Sequence, residues 1–321
     1  MYVMAARTLE KSLIFLFLLL FISVELSAQQ SPIRITHDKN SRGGFTFYAE
    51  NSSYTPYIVT INFTSLVNLS PGFPLPYSAN VSRGRTRLMH LTESNSNQRT
   101  NFRYTYRYHS GCLRTKPDDV EYLLPYPEGK TARSGQLSSL SEWVGRNPPE
   151  DWYALQFYFD DEDENGTEIT AARKGRVITV RDGEIPTDEN LIFTRNRNYV
   201  TILHDDCTFA SYSTFKEDGI YVEEGDYLYP GEPIGLLAGN ESRFGKQIRL
   251  LIYYRNDEFL TINRENPDGV QRNKYVKPAF RTSEGKSISI ERNRKYISIH
   301  PEEVIISEMS RRERRNWARN N

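Results

Sequence analysis

Histidine and cysteine, from which many metal centres and nucleophilic sites are built, are scarce in this sequence. Only five His and two Cys occur among 321 residues. They form no H-x-H, H-E-x-x-H or C-x-x-C pattern. A G-x-S-x-G elbow, a phosphate loop and a dinucleotide fingerprint are also missing. The common sequence signatures of hydrolases, nucleotide-binding enzymes and zinc sites are therefore absent.

The chain also lacks net charge and internal repeats. Its 41 Lys and Arg balance 41 Asp and Glu, so the chain has no net positive charge that would attract nucleic acid. We therefore expect no nucleic acid as a partner. Aromatic residues, in contrast, are frequent: 21 Tyr and 16 Phe occur, and these types favour β-strands. The length is sufficient for two ordinary domains.

Long apolar runs are missing except near the N-terminus. Arg7 and Lys11 precede an apolar run from Leu13 to Val24, which small residues up to Ala28 follow. This layout predicts a signal peptide over residues 1–28. The alternative is a retained anchor, but this run gives only about 18 Å of helix against a hydrocarbon core of about 30 Å. We expect export to the periplasm, the outer envelope or the medium, without a transmembrane segment after cleavage.

Residues with a period of two alternate with turn signals after this segment. Ile58, Thr60 and Asn62 share one side of a run, and aromatic residues alternate with polar ones from Phe102 to Tyr108. Such alternation predicts strands with one buried face, and therefore two packed sheets. We predict an immunoglobulin-like β-sandwich over residues 30–115, whose sequence indicates no ligand.

Residues 258–321 form a C-terminal extension. Strand-like runs occur at Lys286–Ile290 and Lys295–Ile299, and the pattern becomes helical after Pro301. The helical part is rich in arginine, which is typical of a solvated tail. The alternative is contact with an acidic partner or with anionic lipid headgroups.

Four stretches between these regions resemble the lysostaphin-type (LytM-like) zinc metallopeptidases. They are Tyr153–Phe157, Gly166–Val177, Asn198–Tyr212 and Val222–Gly235. The resemblance implies a LytM-like β-sandwich of the duplicated hybrid motif type over residues 120–257, in an all-β chain. Members of that family cut peptide cross-links in bacterial cell walls with one zinc ion.

The residues that the family uses for zinc and catalysis are replaced here. The zinc Asp falls on Gln156, the His two positions after the motif tyrosine Tyr212 falls on Thr214, and the terminal His-x-His falls on Gln247 and Arg249. The stretch expected to supply the first zinc His contains no His. The resemblance thus implies a peptidase frame without zinc ligands, without a cofactor and without catalytic residues.

Other candidate residues have weaker patterns. His204 ends a strand, and we expect a structural role for it. We interpret the acidic run from Asp160 to Gly166 as an insertion in a β-hairpin. A calcium loop is the alternative, but Ala172 stands where its bidentate Glu is required.

The two cysteines leave two alternatives. In an exported chain Cys112 and Cys207 can form one disulfide, or they can remain as two free, buried thiols. A bridge would close a loop of about 95 residues and stabilise the fold by roughly 4 to 5 kcal/mol. Relatives usually carry Gly at the position of Cys207, and a bridge there would hold the linker against the hairpin.

The resemblance favours a non-catalytic envelope scaffold or regulator. Catalytically inactive members of this family are known to activate cell-wall amidases through the former groove, which in this chain contains Gln156, Tyr212, Thr214, Gln247 and Arg249. The expected partner is an envelope protein complex or a cell-wall hydrolase. Two alternatives remain: a module that holds peptidoglycan peptides without cutting them, and an active zinc endopeptidase whose ligands lie elsewhere.

Overall fold

A computed structural model describes residues 31–139, 147–160, 166–185, 197–238, 246–261 and 271–320. The predicted signal peptide lies outside the described residues, and so do residues 161–165 of the acidic run. No helix in the described part of the chain is long and apolar enough to cross a membrane.

Strands dominate the fold, as the alternating patterns and the resemblance predicted, and short helices occur near the C-terminus. The strands are β1 (Ile33–Lys39), β2 (Phe45–Asn51), β3 (Tyr57–Val67), β4 (Leu69–Ser70), β5 (Tyr77–Val81), β6 (Gly84–Glu93), β7 (Asn101–Ser110), β8 (Glu121–Leu123), β9 (Thr131–Gln136), β10 (Leu155–Tyr158), β11 (Glu168–Thr170), β12 (Gly175–Arg181), β13 (Tyr199–Leu203), β14 (Phe209–Ser213), β15 (Phe215–Ile220), β16 (Tyr227–Leu228), β17 (Pro233–Leu237), β18 (Gln247–Arg255), β19 (Asn273–Tyr275), β20 (Ala279–Thr282), β21 (Gly285–Ile288) and β22 (Lys295–Ile297). The helices are α1 (Glu258–Thr261), α2 (Glu302–Ile305) and α3 (Arg311–Asn320).

The first part of the chain is a β-sandwich. A sheet in the order β1-β2-β6-β4 faces a sheet in the order β5-β3-β7, and buried side chains from both form one apolar core. Phe47 lies at its centre, with ring centroids 5.2 Å from both Phe63 and Phe102 and 5.4 Å from Tyr104. Edge-to-face packing of this kind adds about 0.5 to 1.5 kcal/mol per pair beyond burial. The period-two aromatic residues thus join the two sheets.

The second part is built on a long sheet. Its described strands run in the order β16-β12-β13-β14-β18-β10-β9-β22, with β19 paired to β18. A smaller sheet, β11-β17-β15, packs with it over a common apolar core. Gly175 begins β12, where a Cβ would lie 2.6 Å from the carbonyl oxygen of Leu203, so only glycine permits the close pairing of β12 and β13.

The C-terminal strands belong to this second unit and are not an appendage. β19 pairs with β18, β20 runs parallel to β8, and β22 pairs with β9. Phe280 of β20 is fully buried and lies 6.3 Å from the ring of Phe157. The predicted strand segments at 286–290 and 295–299 correspond to β21 and β22. The extension therefore completes the sheets of the region that precedes it.

The junction between the two units is covalent and polar. Cys112 follows β7 and is joined by a disulfide to Cys207, which lies in the turn between β13 and β14. Cys207 has a φ of 64°, in the left-handed region that glycine adopts most easily. Beside this bridge, Arg255 donates hydrogen bonds of 2.8 Å to the carbonyl and hydroxyl oxygens of Ser110.

Candidate functional site

A row of side chains crosses one face of the long sheet. The register places Gln156 opposite Arg249, Arg249 opposite Ser213, Ser213 opposite Tyr199, and Tyr199 opposite Arg181. Directly opposed residues of antiparallel strands project from the same face. Five strands therefore bring these five side chains together, although the residues are far apart in the sequence.

The apolar core lies on the other face. The next residues along the same strands, Leu155, Leu250, Tyr212 and Val200, are all buried in the core cluster. Alternate residues of a strand point to opposite faces. The polar row therefore faces away from the core, while the apolar residues between its members anchor the strands.

A cavity of about 350 Å³ lies over this row. Its polar and aromatic walls come from Trp152, Arg181, Arg197, Tyr199, Ser213 and Arg249. The indole N–H of Trp152 donates a 2.9 Å hydrogen bond to the carbonyl of Leu137, which also lines the cavity. The volume lies within the range of about 300 to 1,000 Å³ usual for small-ligand sites.

Positive charge is concentrated in this cavity. Arg249 is 7% exposed, and burial together with the nearby charge of Arg197 lowers its pKa to about 10, although Tyr158 acts in the opposite direction. Burial also lowers the pKa of Arg197. Desolvation and like charge both disfavour a guanidinium cation. An anion in the cavity would offset both effects.

Two glutamines lie at one end of the row: Gln156 is its last member, and Gln247 lies beside it. Gln156 uses its side-chain amide to donate a 3.3 Å hydrogen bond to the carbonyl of Gln136. Gln247 lies two residues before Arg249 on β18 and is 3% exposed. Its Oε1 atom accepts no hydrogen bond from any described residue. A buried acceptor in that state costs about 1 to 3 kcal/mol, so Gln247 would gain from a ligand N–H placed within its reach.

The other two residues predicted for the groove occupy different places. Tyr212 is fully buried in the core, where its hydroxyl accepts a 2.9 Å hydrogen bond from the N–H of Ala172 and where burial raises its pKa. Thr214 is buried at the end of β14, and its hydroxyl hydrogen-bonds the carbonyl of Gln247. Tyr212 therefore supports the core, and Thr214 ties β14 to β18.

The residues that the sequence resemblance aligns with zinc ligands do not fit a zinc ion. Zinc is bound by imidazole, thiolate and carboxylate groups. Gln156 and Gln247 offer only neutral amides, the hydroxyl of Thr214 is already engaged with a carbonyl, and Arg249 contributes a cation. Within the described ranges, no cluster of three or more His, Cys, Asp or Glu could hold a metal ion.

A second polar cluster lies at the opposite end of β12. Arg173 is 1% exposed and makes a bidentate contact with Glu308, at 2.9 and 2.7 Å, and a 2.8 Å contact with Asp206. Burial alone would lower the pKa of Arg173, but these carboxylates raise it. The contact with Glu308 attaches the C-terminal segment to the second unit.

His204 belongs to this cluster and stays neutral. The hydroxyl of Thr208 donates to Asp206 at 2.7 Å, so it accepts the 2.9 Å hydrogen bond from Nδ1–H of His204. Burial and the charge of Arg173 hold the pKa of His204 far below its ordinary value, although Asp206 acts in the opposite direction. A neutral, fully buried imidazole is suited to a structural role and not to proton exchange with a substrate.

Sequence reasoning missed several residues of the cavity. Arg181 and Arg197 flank a stretch that has no strand pattern, and Trp152 precedes β10. One signal could have identified Tyr199 and Ser213. In the hairpin between residues 198 and 213, Val200, Ile202, Ala210 and Tyr212 face the core. Tyr199 and Ser213 alternate with these residues and therefore lie on the same face as Arg249.

Comparison with known proteins gives only distant similarities. No protein-family model and no curated protein matches the chain. A structure from Ruminococcus gnavus, which carries the name of a glycyl-glycine endopeptidase, lytM, is 17% identical, with 43% of this chain and 55% of that chain covered and a TM-score of 0.28. The chain thus spans about half of that protein, 55% of its length.

Two further solved structures are similar over more of their length. A zinc-containing peptidase from Vibrio cholerae is 13% identical, with 71% of this chain and 84% of that chain covered and a TM-score of 0.28. Csd3 from Helicobacter pylori is 12% identical, with 77% of each chain covered and a TM-score of 0.28. At these values the similarities assign neither an activity nor a ligand to this chain.

Proposed function

We propose that this chain is a non-catalytic protein of the cell envelope that holds a carboxylate-bearing peptide segment in the cavity over the row. The observation that carries the proposal is the placement of Arg249 and Arg197 together in the cavity, where burial and mutual repulsion lower the pKa of Arg249 to about 10. A bound carboxylate would receive charge-assisted hydrogen bonds from these forked donors.

The remaining walls suit the rest of a peptide. Tyr199 and Trp152 provide aromatic surface, and Ser213 provides a hydroxyl. Gln247 supplies a buried acceptor oxygen for an N–H group near the row. Aromatic surface with a few convergent polar groups is the usual composition of a binding pocket. In this proposal the protein acts as a scaffold or regulator, and its partner is an envelope protein or a cell-wall peptide.

Paired peptides test the carboxylate. A short peptide with a free C-terminal carboxylate and the same peptide with a C-terminal amide would be titrated against the protein, with tryptophan fluorescence and calorimetry as readouts. A hydrogen bond to a charged group contributes about 1.5 to 3 kcal/mol, so the amide should bind about 10- to 100-fold more weakly. Equal affinity of the two peptides would contradict the proposal.

Variants locate the binding in the cavity. R249Q and R197Q should each lose the preference for the free acid. The matched control is R176Q, which removes one positive charge from a residue that stacks on Tyr54 and contacts the carbonyl of Gly225, away from the cavity. R176Q should bind like the unaltered protein. If all three variants bind equally well, the carboxylate lies elsewhere.

A further inference from the structure

The C-terminal helix α3 concentrates positive charge along one side. A helical period of 3.6 residues places four of its arginines within an arc of about 100°. This arginine stripe consists of Arg311, Arg312, Arg315 and Arg319, all of them exposed. Glu313 and Trp317 project from the opposite side and are half-buried against the body of the protein. The stripe therefore faces solvent.

The orientation of the helix is fixed by contacts on its inner side. Glu313 lies 3.3 Å from the ammonium group of Lys174 and accepts a 2.6 Å hydrogen bond from the N–H of Ser310 and a 3.2 Å bond from the hydroxyl of Tyr229. Just before the helix, Met309 is buried and Glu308 holds Arg173. These contacts hold the stripe at one position on the surface, unlike a solvated tail.

The charge of the stripe is not neutralised within the described chain. None of its four guanidinium groups forms a salt bridge with a described carboxylate. The nearest acidic residues along the sequence, Glu308 and Glu313, are engaged with Arg173 and Lys174. No large apolar side chain projects from the arginine side, where Ala318 is the only apolar neighbour. The surface therefore offers charge without an apolar anchor.

We propose that the arginine stripe docks the protein onto the anionic headgroups of a lipid bilayer. The stripe extends about 12 Å along an exposed helix, at a rise of about 1.5 Å per residue, so it can meet several phosphates of a flat surface at once. Arginine binds phosphate oxygens through two parallel hydrogen bonds. Protein partners usually require a buried aromatic or aliphatic anchor, which this side of α3 does not offer.

Vesicle binding tests this proposal on the full chain. Protein would be mixed with vesicles of phosphatidylcholine containing 30% phosphatidylglycerol (about one anionic lipid in three), or with phosphatidylcholine alone, and bound protein measured by flotation. Each arginine near an anionic surface contributes about 1 kcal/mol, or roughly fivefold in partitioning. The quadruple variant R311Q/R312Q/R315Q/R319Q should therefore bind the anionic vesicles several hundredfold more weakly, on the order of 600-fold if the four contributions add.

A matched variant controls for net charge. R42Q/R87Q/R99Q/R103Q removes four exposed arginines of the first sandwich and should retain binding. Binding of the unaltered protein should fall steeply with added salt, because only charge attracts it. Equal loss in the two quadruple variants, or equal binding to neutral vesicles, would overturn the proposal. Retained vesicle binding by R249Q would separate this site from the cavity.

Discussion

Arg173 and Arg249 are two buried arginines of the same unit in opposite electrostatic surroundings. Arg173 contacts Asp206 and Glu308, whereas Arg249 has Arg197 as a charged neighbour beside a cavity. Burial disfavours the charge of both. The pKa of Arg173 is nevertheless raised, while that of Arg249 is lowered to about 10. A buried cation held by two carboxylates supports the fold, and one that lines a cavity beside a second arginine is suited to an anionic ligand.

The largest expected effect is on the Arg173 side. R173M would leave Asp206 and Glu308 without their cation, and removal of one partner of a buried ion pair costs about 3 to 5 kcal/mol. Urea denaturation should show a clearly lower free energy of unfolding. The protein that remains folded should bind the free-acid peptide normally. A small loss of stability would contradict the structural role assigned to Arg173.

The disulfide strengthens the same region, since Cys207 is adjacent to Asp206. Thiol counting on denatured, unreduced protein should find no free thiol. C112S/C207S should lower the free energy of unfolding by about 2 to 5 kcal/mol, because the unfolded chain regains the freedom of a long loop. Peptide binding should persist at temperatures where the variant is folded. Two free thiols in the unaltered protein would reject the bridge.

Acid should act on the Arg173 cluster through Asp206. Burial alone would raise the pKa of this carboxyl group, but hydrogen bonds from the Asp118 N–H and Thr208 and the charge of Arg173 lower it to about 2 from 3.8. The stabilisation is present above pH 3.8 and is lost as the pH falls toward 2. At about 1.36 kcal/mol per pKa unit the loss is about 2 kcal/mol. R173M should show a smaller acid dependence.

R249Q should affect stability least, although it removes a buried charge. Gln retains hydrogen-bonding capacity while the repulsion with Arg197 disappears, so the melting temperature should change by no more than about 2 °C. Calorimetry of R249Q beside R255Q provides the control, because Arg255 is buried to a similar extent and its hydrogen bond to Ser110 lies at the junction of the two units, away from the cavity. If R249Q melts far lower than R255Q, Arg249 supports the fold and the cavity loses its proposed role.

Metal should have almost no effect. Protein purified without chelators should contain well under one zinc per chain by elemental analysis, because the positions expected for zinc ligands carry amides and a guanidinium. Added zinc or chelator should leave the melting temperature unchanged, since a ligand stabilises only a state that it binds. Near-stoichiometric zinc would instead favour an active endopeptidase with other ligands.

Sequence reasoning predicted strands better than it predicted sheet partners. Long strands such as β3 and β7 bury one face, so their alternation is visible in the sequence. Strands β8 and β20 are three and four residues long, which is too short for a period to appear. The run that forms β22 was predicted as a strand, but its sequence indicated no partner. The incorporation of these strands depends on contacts between distant residues, such as Phe280 with Phe157.

The site was predicted in part, for a related reason. Motif positions identified Gln156, Gln247 and Arg249, which lie on or beside the row. Tyr212 was assigned to the groove, although it faces the core, because a shift of one residue along a strand reverses the face. Arg197 could not be found, since no strand pattern surrounds it and only the folded sheet brings it near Arg249.

The interleaving of the second unit constrains the order in which the protein can mature. The first sandwich draws its strands from one continuous stretch, so it can assemble as soon as that stretch has been synthesised. The second unit cannot be completed until its last strands have been synthesised. Its strands β8 and β9 pair with β20 and β22, and Arg173 pairs with Glu308, 135 residues later. A chain interrupted before β20 would carry a finished sandwich followed by open strand edges, a state that invites aggregation or proteolysis.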